Sequence, residues 1–337
     1  MTIRNRLVFI VFVTLFLSCN PPKTAQRPLK IGFSVSTEVF VQERWERDIQ
    51  IFTSKAKELG AEVLFTKSSK NSDDQVSEIL YLAKQDIDVL VIIPRDKNVL
   101  GDVLKKVRLK GIPVIAYDRL IMDVPLDAYV SFDNNEVGKY LGKALIDKVP
   151  NGKYLIINGS IHDNNSYEVN TGLHKILDPK ITSNEIELVD EVWLNEWSYD
   201  DAYKEANRVL DLDPEINAIS AANDMIAQAV IKALSERRLA GKVYVVGQDA
   251  DLASCQSIIN NTQLMTVYKP IQNLASRAAI IAVSIAGGTI PEPDLYINNN
   301  SGKYIPFYFE RPIPVTKDNI DKTVILDGFH NREDIYQ

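Results

Sequence analysis

The chain has 337 residues, 45% of them hydrophobic and 25% charged, with 15 Gly and 15 Pro. At about 100–200 residues per domain this is enough for two domains with their own cores, and it excludes a disordered chain, a collagen or a coiled coil. Basic residues number 38 against 45 acidic, a net charge of -7, so the broad positive field of a nucleic-acid binder is missing. The histidines His162, His174 and His330 and the cysteines Cys19 and Cys255 fit no Cys/His zinc spacing, and neither a metal nor a cofactor is expected.

Residues 1–18 read as a signal peptide: Arg4 and Arg6 give a positive start, and Leu7 to Leu17 is an apolar run interrupted only by Thr14. Ser18-Cys19 follows, and a small residue before a cysteine at the end of such a run resembles the lipobox of bacterial lipoproteins. That resemblance implies a lipidated Cys19 at the mature N-terminus and a flexible lipidated tether over 19–27. Cys255 would then be alone, and no intramolecular disulfide is possible. No later segment reaches the roughly 18 apolar residues of a membrane helix, so membrane contact is expected through the N-terminal lipid alone.

From Leu29 onward, short β-branched runs alternate with amphipathic stretches, the order of strands and crossover helices in a parallel α/β sheet. The runs predict strands at Lys30–Ser34, Glu62–Phe65, Val89–Ile93, Val114–Tyr117 and Tyr129–Phe132. A second series follows at Tyr154–Asn158, Glu187–Val192, Ala218–Ala221, Val243–Gly247 and Met265–Tyr268. Helical spacing falls at Trp45–Leu59, Asp73–Lys84, Asn98–Lys110, Asn135–Lys148, Ala202–Leu210, Ala227–Arg237 and Leu274–Ala286. Gly60, Gly111 and Gly241 stand at expected C-terminal caps. The βαβα order occurs twice, which predicts two similar doubly wound parallel-sheet lobes.

In open α/β sheets, ligands bind beyond the carboxyl ends of the strands. The polar groups there are Tyr117-Asp118-Arg119, Gly159 to Asn165, Asn223-Asp224 and Gln248-Asp249, and a cleft between two lobes would gather them. No dinucleotide glycine motif, P-loop, zinc-protease motif, serine elbow or CxxC is present, and Ser54 to Lys57 fits SxxK without its companion motifs, as a solvated face does. Asp118, Asp224 and Asp249 could serve as an acid/base pair or as acceptors for sugar hydroxyls. Asp118-Arg119 reads either as a surface ion pair or as a clamp offering acceptors and a fork of donors to adjacent hydroxyls. Removing Asp118 would then leave Arg119 unpaired. Trp45 and Trp197 are core residues or apolar plates at a wet cleft. Lys269 is an exposed loop cation or a donor at a crossover between lobes, and Asp163-Asn164-Asn165 has the composition of a polar turn.

Several strings together sharpen this reading: Glu43-Arg44-Trp45, Val89 to Pro94, Ala116-Tyr117-Asp118-Arg119, Ile157 to Asn165, Ala222-Asn223-Asp224, Gly247-Gln248-Asp249-Ala250-Asp251, Met265 to Pro270 and Asp327-Gly328-Phe329-His330. Through them the chain, from about Leu29 to near its C-terminus, resembles the xylose-binding branch of the ribose/galactose-type periplasmic binding proteins of bacterial ABC sugar importers. The resemblance implies a non-enzymatic protein that captures a pentose, D-xylose first, between two lobes joined by a three-crossover hinge. Its ligand contacts would fall on Arg44, Trp45, Asp118, Arg119, Asn164 or Asn165, Trp197, Asn223, Asp249 and Lys269. It places the crossovers near Phe132–Asn134, Lys269–Gln272 and Ile305–Phe309. The lobes would then be 28–133 with 271–305, and 134–270 with 306–337. The segment Ser36 to Gln42 departs from the family's pattern, being longer and less polar. The expected partner is a membrane ABC permease or, alternatively, a sensor kinase or chemoreceptor, with the chain exported and monomeric. A repressor of the related LacI type would need a DNA-binding headpiece and a basic surface where this chain has a leader and negative charge, and a hydrolase would need turnover of a xyloside.

Overall fold

The computed structural model describes residues 27–36, 42–68 and 71–337. The leader and Cys19 lie outside the described residues, as do 37–41 within the unusual first loop.

The first five strands, β1 (Leu29–Ser36), β2 (Ala61–Ser68), β3 (Val89–Ile93), β4 (Val114–Tyr117) and β5 (Ala128–Phe132), alternate with α1 (Gln42–Glu58), α2 (Ser72–Leu82) and α3 (Gly101–Leu109). β3 shows why these residues make a central strand. Its run Val-Leu-Val-Ile-Ile is wholly buried, as expected where helices cover both faces of a parallel sheet. Val89, Val91 and Ile93 face a core shared with α1, while Leu90 and Ile92 face the core of α2 and α3, the period-two alternation of a strand.

After Phe132 the chain passes to the second lobe, where α4 (Asn134–Lys148), β6 (Gly152–Ser160), α5 (Asn164–Thr182), β7 (Ile186–Leu194), α6 (Tyr199–Leu212), β8 (Ala218–Ala221), α7 (Asp224–Glu236), β9 (Tyr244–Val246), α8 (Leu252–Ile259) and β10 (Thr266–Tyr268) follow. The strand order is β7-β6-β8-β9, all parallel, and a bridge from Val246 to Met265 brings β10 alongside β9. α6 and α7 cover one face, α4 and α5 the other. The chain then returns to the first lobe in α9 (Ile271–Ala286), which packs on α1. β11 (Leu295–Asn298) and β12 (Tyr304–Glu310) complete a seven-stranded sheet of order β11-β12-β5-β4-β3-β1-β2. Last come β13 (Ile313–Val315), antiparallel to β10, and the short α10 (Arg332–Ile335). Two parallel-sheet lobes thus share one chain that passes between them three times. No helix among the described residues is long and apolar enough to cross a membrane.

Three differences from the sequence reading have physical causes. β12 pairs with β5 as far as Glu310↔Phe132, so the third passage falls between Glu310 and Ile313 rather than at Ile305–Phe309, and 306–310 belongs with the first sheet. α5, for which hydrophobic spacing gives little warning, carries Pro179 and a polar first turn. It is held by close backbone contact with α4: a Cβ on Gly138 would stand 1.9 Å from Val169 O, and one on Gly172 2.0 Å from Asn135 O. After α7 the left-handed residue is Arg238 (φ 58°) rather than Gly241, whose φ of 78° serves the next turn.

Candidate functional site

The ends of β4, β6, β8, β9 and β10 all point at the junction of the lobes, and the start of α1 closes it from the first lobe. There Arg44, Trp45, Asp118, Arg119, Asp163, Asn165, Trp197, Asn223, Gln248, Asp249 and Lys269 line a cavity of about 360 Å³, its mouth included.

Backbone geometry sets the two carboxylates that came from strand ends. Asp118 sits at φ 62° and Asp249 at φ 102°, a region that costs most residues energy and that Asp tolerates better than most. The Asp118 turn is pinned by Ser131 Oγ and Tyr129 Oη, which donate to its carbonyl at 2.6 and 3.1 Å. Its carboxylate accepts from Arg44 and, across the cleft, from Asn165 Nδ2 at 3.3 Å. Burial alone would raise the Asp118 pKa, but the charges of Arg44, Lys269 and Arg119 outweigh it and hold the group below the ordinary carboxylate range. Asp249 pairs with Lys269 Nζ at 2.7 Å.

Arg119, 5% exposed, directs Nε to Asp163 Oδ2 of the other lobe at 2.8 Å. Arg119 thus pairs with Asp163, and the guanidinium that pairs with Asp118 is that of Arg44, a correction to the sequence reading. Behind Arg44 lies Asp48, fully buried, which accepts from the Tyr117 hydroxyl and stands 3.7 Å from Arg44 Nε. Burial pushes Asp48 up to about 7, with Arg44 and the Tyr117 bond pulling the other way.

The indoles are both buried and at the cavity. Trp45, 1% exposed, belongs to the first-lobe core and has the Arg44 guanidinium 4.4 Å from its ring centre. Trp197 donates from Nε1 to Asp163 Oδ2 at 3.1 Å, and its ring lies over Gly159, where a Cβ would meet Cη2 at 2.1 Å. Both tryptophans thus belong to a lobe core and border the cavity.

Asn223 caps α7 through Oδ1, which accepts from Ile226 N at 3.0 Å, leaving its amide NH2 as the group it can offer elsewhere. Asn164, in contrast, lies outside the cavity lining: its Nδ2 donates to Glu168 Oε1 at 3.0 Å, and Asn165 one step along is the residue at the cleft. Asp224 is fully buried, accepting from Thr266 Oγ1 at 2.7 Å, Gln263 Nε2 at 2.9 Å and Asp251 N at 3.0 Å. It braces the loop that carries Asp249, and its carboxylate oxygens are taken up by these three donors. Asp163 and Gln248 line the cavity unanticipated as contacts. Each stands next to a residue that was expected, in strings already singled out, and only the turn of the chain decides which member faces inward.

Buried polar atoms on lining residues, among them Arg44 Nε, Trp45 Nε1 and Gln248 Oε1, have no protein hydrogen-bond partner among the described residues. An unmet buried group costs about 1–3 kcal/mol, which ligand hydroxyls would offset. Among the described residues no cluster of His, Cys, Asp or Glu is arranged to hold a metal.

A family model described as a periplasmic binding protein domain matches residues 32–290. The chain belongs to this family. It is 40% identical over 338 aligned positions to the D-xylose-binding periplasmic protein of Haemophilus influenzae, covering 100% of both chains. It is 41% identical over 336 positions to the D-xylose-binding periplasmic protein of Escherichia coli K12, covering 99% of this chain and 100% of the relative. Among solved structures it is similar to a carbohydrate transporter solute binding protein from Chloroflexus aurantiacus in complex with D-glucose, with a TM-score of 0.84 at 27% identity, covering 92% of this chain and 98% of that one. Periplasmic binding proteins of this kind bind solutes and are not enzymes, in keeping with cleft carboxylates that are engaged by cations.

Proposed function

We propose that this protein captures D-xylose between its two lobes and, by closing on it, prepares it for delivery to an ABC permease. The observation that carries the reading is the charge balance of the cavity: Arg44, Arg119 and Lys269 against Asp118, Asp163 and Asp249. Three cations and three anions leave no surplus for a phosphate, carboxylate or ammonium ligand. They do offer strong donors and acceptors side by side, as a neutral polyol needs, with Trp45 and Trp197 as apolar plates for its C–H faces. D-xylose in particular rests on the two relatives of that name, alike over their whole length.

In this reading Arg44, Trp45, Asp118, Arg119, Asn165, Trp197, Asn223, Asp249 and Lys269 contact the sugar, and Gln248 joins them. A sugar touching both lobes binds the closed form fully and so shifts the equilibrium toward it. An epimer leaves a buried donor or acceptor unpaired at about 1–3 kcal/mol each. Cys19 is proposed to carry lipid after export, and the intact mass of the membrane-extracted protein tests that separately. Isothermal titration with D-xylose, L-arabinose, D-ribose and D-glucose tests the ligand. Saturable binding of xylose at about micromolar Kd or tighter, with the others weaker, is expected; no binding of xylose beside tight binding of another sugar would overturn the assignment.

A further inference from the structure

A second set of contacts joins the lobes at the rim of the cleft, on residues that do not line the cavity. The loop after β3 brings Asp96 and Lys97 from the first lobe, and the end of β6 brings Ile161 and His162 from the second. His162 Nδ1 stands 2.8 Å from Asp96 Oδ2. Lys97 N donates to His162 O at 3.0 Å, while Lys97 Nζ donates to Ile161 O and lies 3.9 Å from the centre of the Tyr167 ring on α5. Each half is held by its own lobe. Asp96 Oδ1 accepts from Asn98 N at 2.7 Å, and Lys97 O from Met122 N at 2.8 Å. Opposite them, His162 N donates to Ser160 Oγ at 3.1 Å, Ile161 N to Leu194 O at 3.0 Å and Tyr167 Oη to Ile161 O at 3.1 Å. The bonds inside each half do not depend on closure. Those between the halves join residues that follow strands of different sheets and exist only when the lobes meet.

We propose that Asp96 and His162, seated beside Lys97, form a latch that holds the lobes closed over the ligand, and does so more firmly as pH falls. The inference rests on the proposed sugar-binding function. The charged and titratable groups around the imidazole are Asp96 and Lys97 from the first lobe, Tyr167 from α5 and Asp163 next in the chain. Lys97 directs its ammonium to a carbonyl and a ring, Asp163 is directed at Trp197 and Arg119, and Asp96 is the carboxylate at Nδ1. Imidazole is the side chain that ordinarily gains its charge between pH 8 and pH 5. A charged ring attracts Asp96 more strongly than a neutral one, and the two are near only in the closed form, so acid favours closure. The side chains are 34% and 16% exposed, so water and salt screen the pair and its effect is modest. The latch forms once the sugar is seated and must break before the sugar leaves, so it acts on the dissociation rate.

The test is a double-mutant cycle with Asp96→Asn and His162→Asn in the full-length protein, read by D-xylose Kd and dissociation rate at about pH 5.5 and about pH 8, with the melting temperature without sugar alongside. Asn at 162 keeps a neutral donor near the place of Nδ1, and Asn at 96 still accepts from Asn98 N, so each change isolates a charge. Asp48 and Glu168, raised to about 7, titrate over the same range in every variant, and the ratio of variant to wild type at each pH removes their share. The expected result is each single variant about threefold weaker than wild type at the acid pH, carried by faster dissociation, and within about 1.5-fold at the alkaline pH. The double variant is expected to be no weaker than either single one, with unliganded melting temperatures close to that of the wild type. Ratios equal at the two pH values, losses that simply add, or a fall in the unliganded melting temperature with dissociation unchanged would overturn it. If wild-type protein fails to bind D-xylose, the proposed ligand falls instead, and the same cycle read with whichever of L-arabinose, D-ribose or D-glucose binds still decides the latch.

Discussion

Asp118→Asn keeps the shape of the side chain and, because Asn also tolerates the left-handed region, the turn at φ 62°. It removes one negative charge from a cavity whose charged residues otherwise balance. Arg44 and Asn165 both donate to this carboxylate, and an amide in its place turns an NH2 toward one of those donors or toward a sugar hydroxyl. One charge-assisted bond is lost, worth about 1.5–3 kcal/mol, and Arg44 is left with Asp48 as its remaining nearby carboxylate. Together these predict about 3 kcal/mol, roughly 150-fold in Kd for D-xylose. Isothermal titration measures it, with the melting temperature of unliganded protein as the control for folding. A Kd within about threefold of wild type would refute the argument that the negative charge at this strand end helps to hold the ligand.

Gly159→Ala places a methyl 2.1 Å from Trp197 Cη2, so the indole must leave its plane; affinity is expected to fall about tenfold or more while circular dichroism stays native. Gly138→Val drives a side chain into Val169 O at 1.9 Å and Leu173 N at 2.6 Å. Backbone cannot step aside as a side chain can, and calorimetry should show a melting temperature lower by roughly 5 °C. Stability should also rise from pH 9 to pH 6. Asp48, buried, and Glu168, half-buried and desolvated beside Asn134 and Asn164, are raised to about 7, and His174, bonded to Glu191 and Asp178, to about 9. The carboxyls are raised above their unfolded values, so the native state binds protons more tightly and gains stability as pH falls through 7. The imidazole, raised likewise, contributes below about 6.5 and loses that contribution as pH climbs through 9. All three act in the same direction, and a melting temperature that is higher at pH 9 than at pH 6 would contradict the assignment.

Much of the fold was legible because burial in a parallel sheet leaves a strong mark. Val89–Ile93, Val114–Tyr117 and Ala218–Ala221 have the same bounds in the sequence reading and the structure, since continuous apolar runs bounded by polar turns admit few alternatives. Where local pattern was weak, contact at a distance decided. α5 depends on Gly138 and Gly172 letting two helices touch, and neither glycine announces its partner. Tyr304–Glu310 joins the first sheet because β5 offers it an edge, which no property of the segment itself specifies.

The site divides in the same way. That carboxylates, a guanidinium and amides would stand at strand ends followed from the sequence alone, because chain order and crossover topology bring strand termini to one side of a sheet. Which member of each string faces the cavity did not follow. Asp163 and Asn165 face it while Asn164 turns to Glu168, since the three straddle a helix start and successive helical residues point about 100° apart. Pairing was equally hidden: Asp118 and Arg119 are neighbours in the chain, yet Asp118 meets Arg44 and Arg119 meets Asp163. Residue types and their place along the chain are one-dimensional facts, fixed by order. Ion pairs depend on distance in space, and only the meeting of two lobes sets those distances.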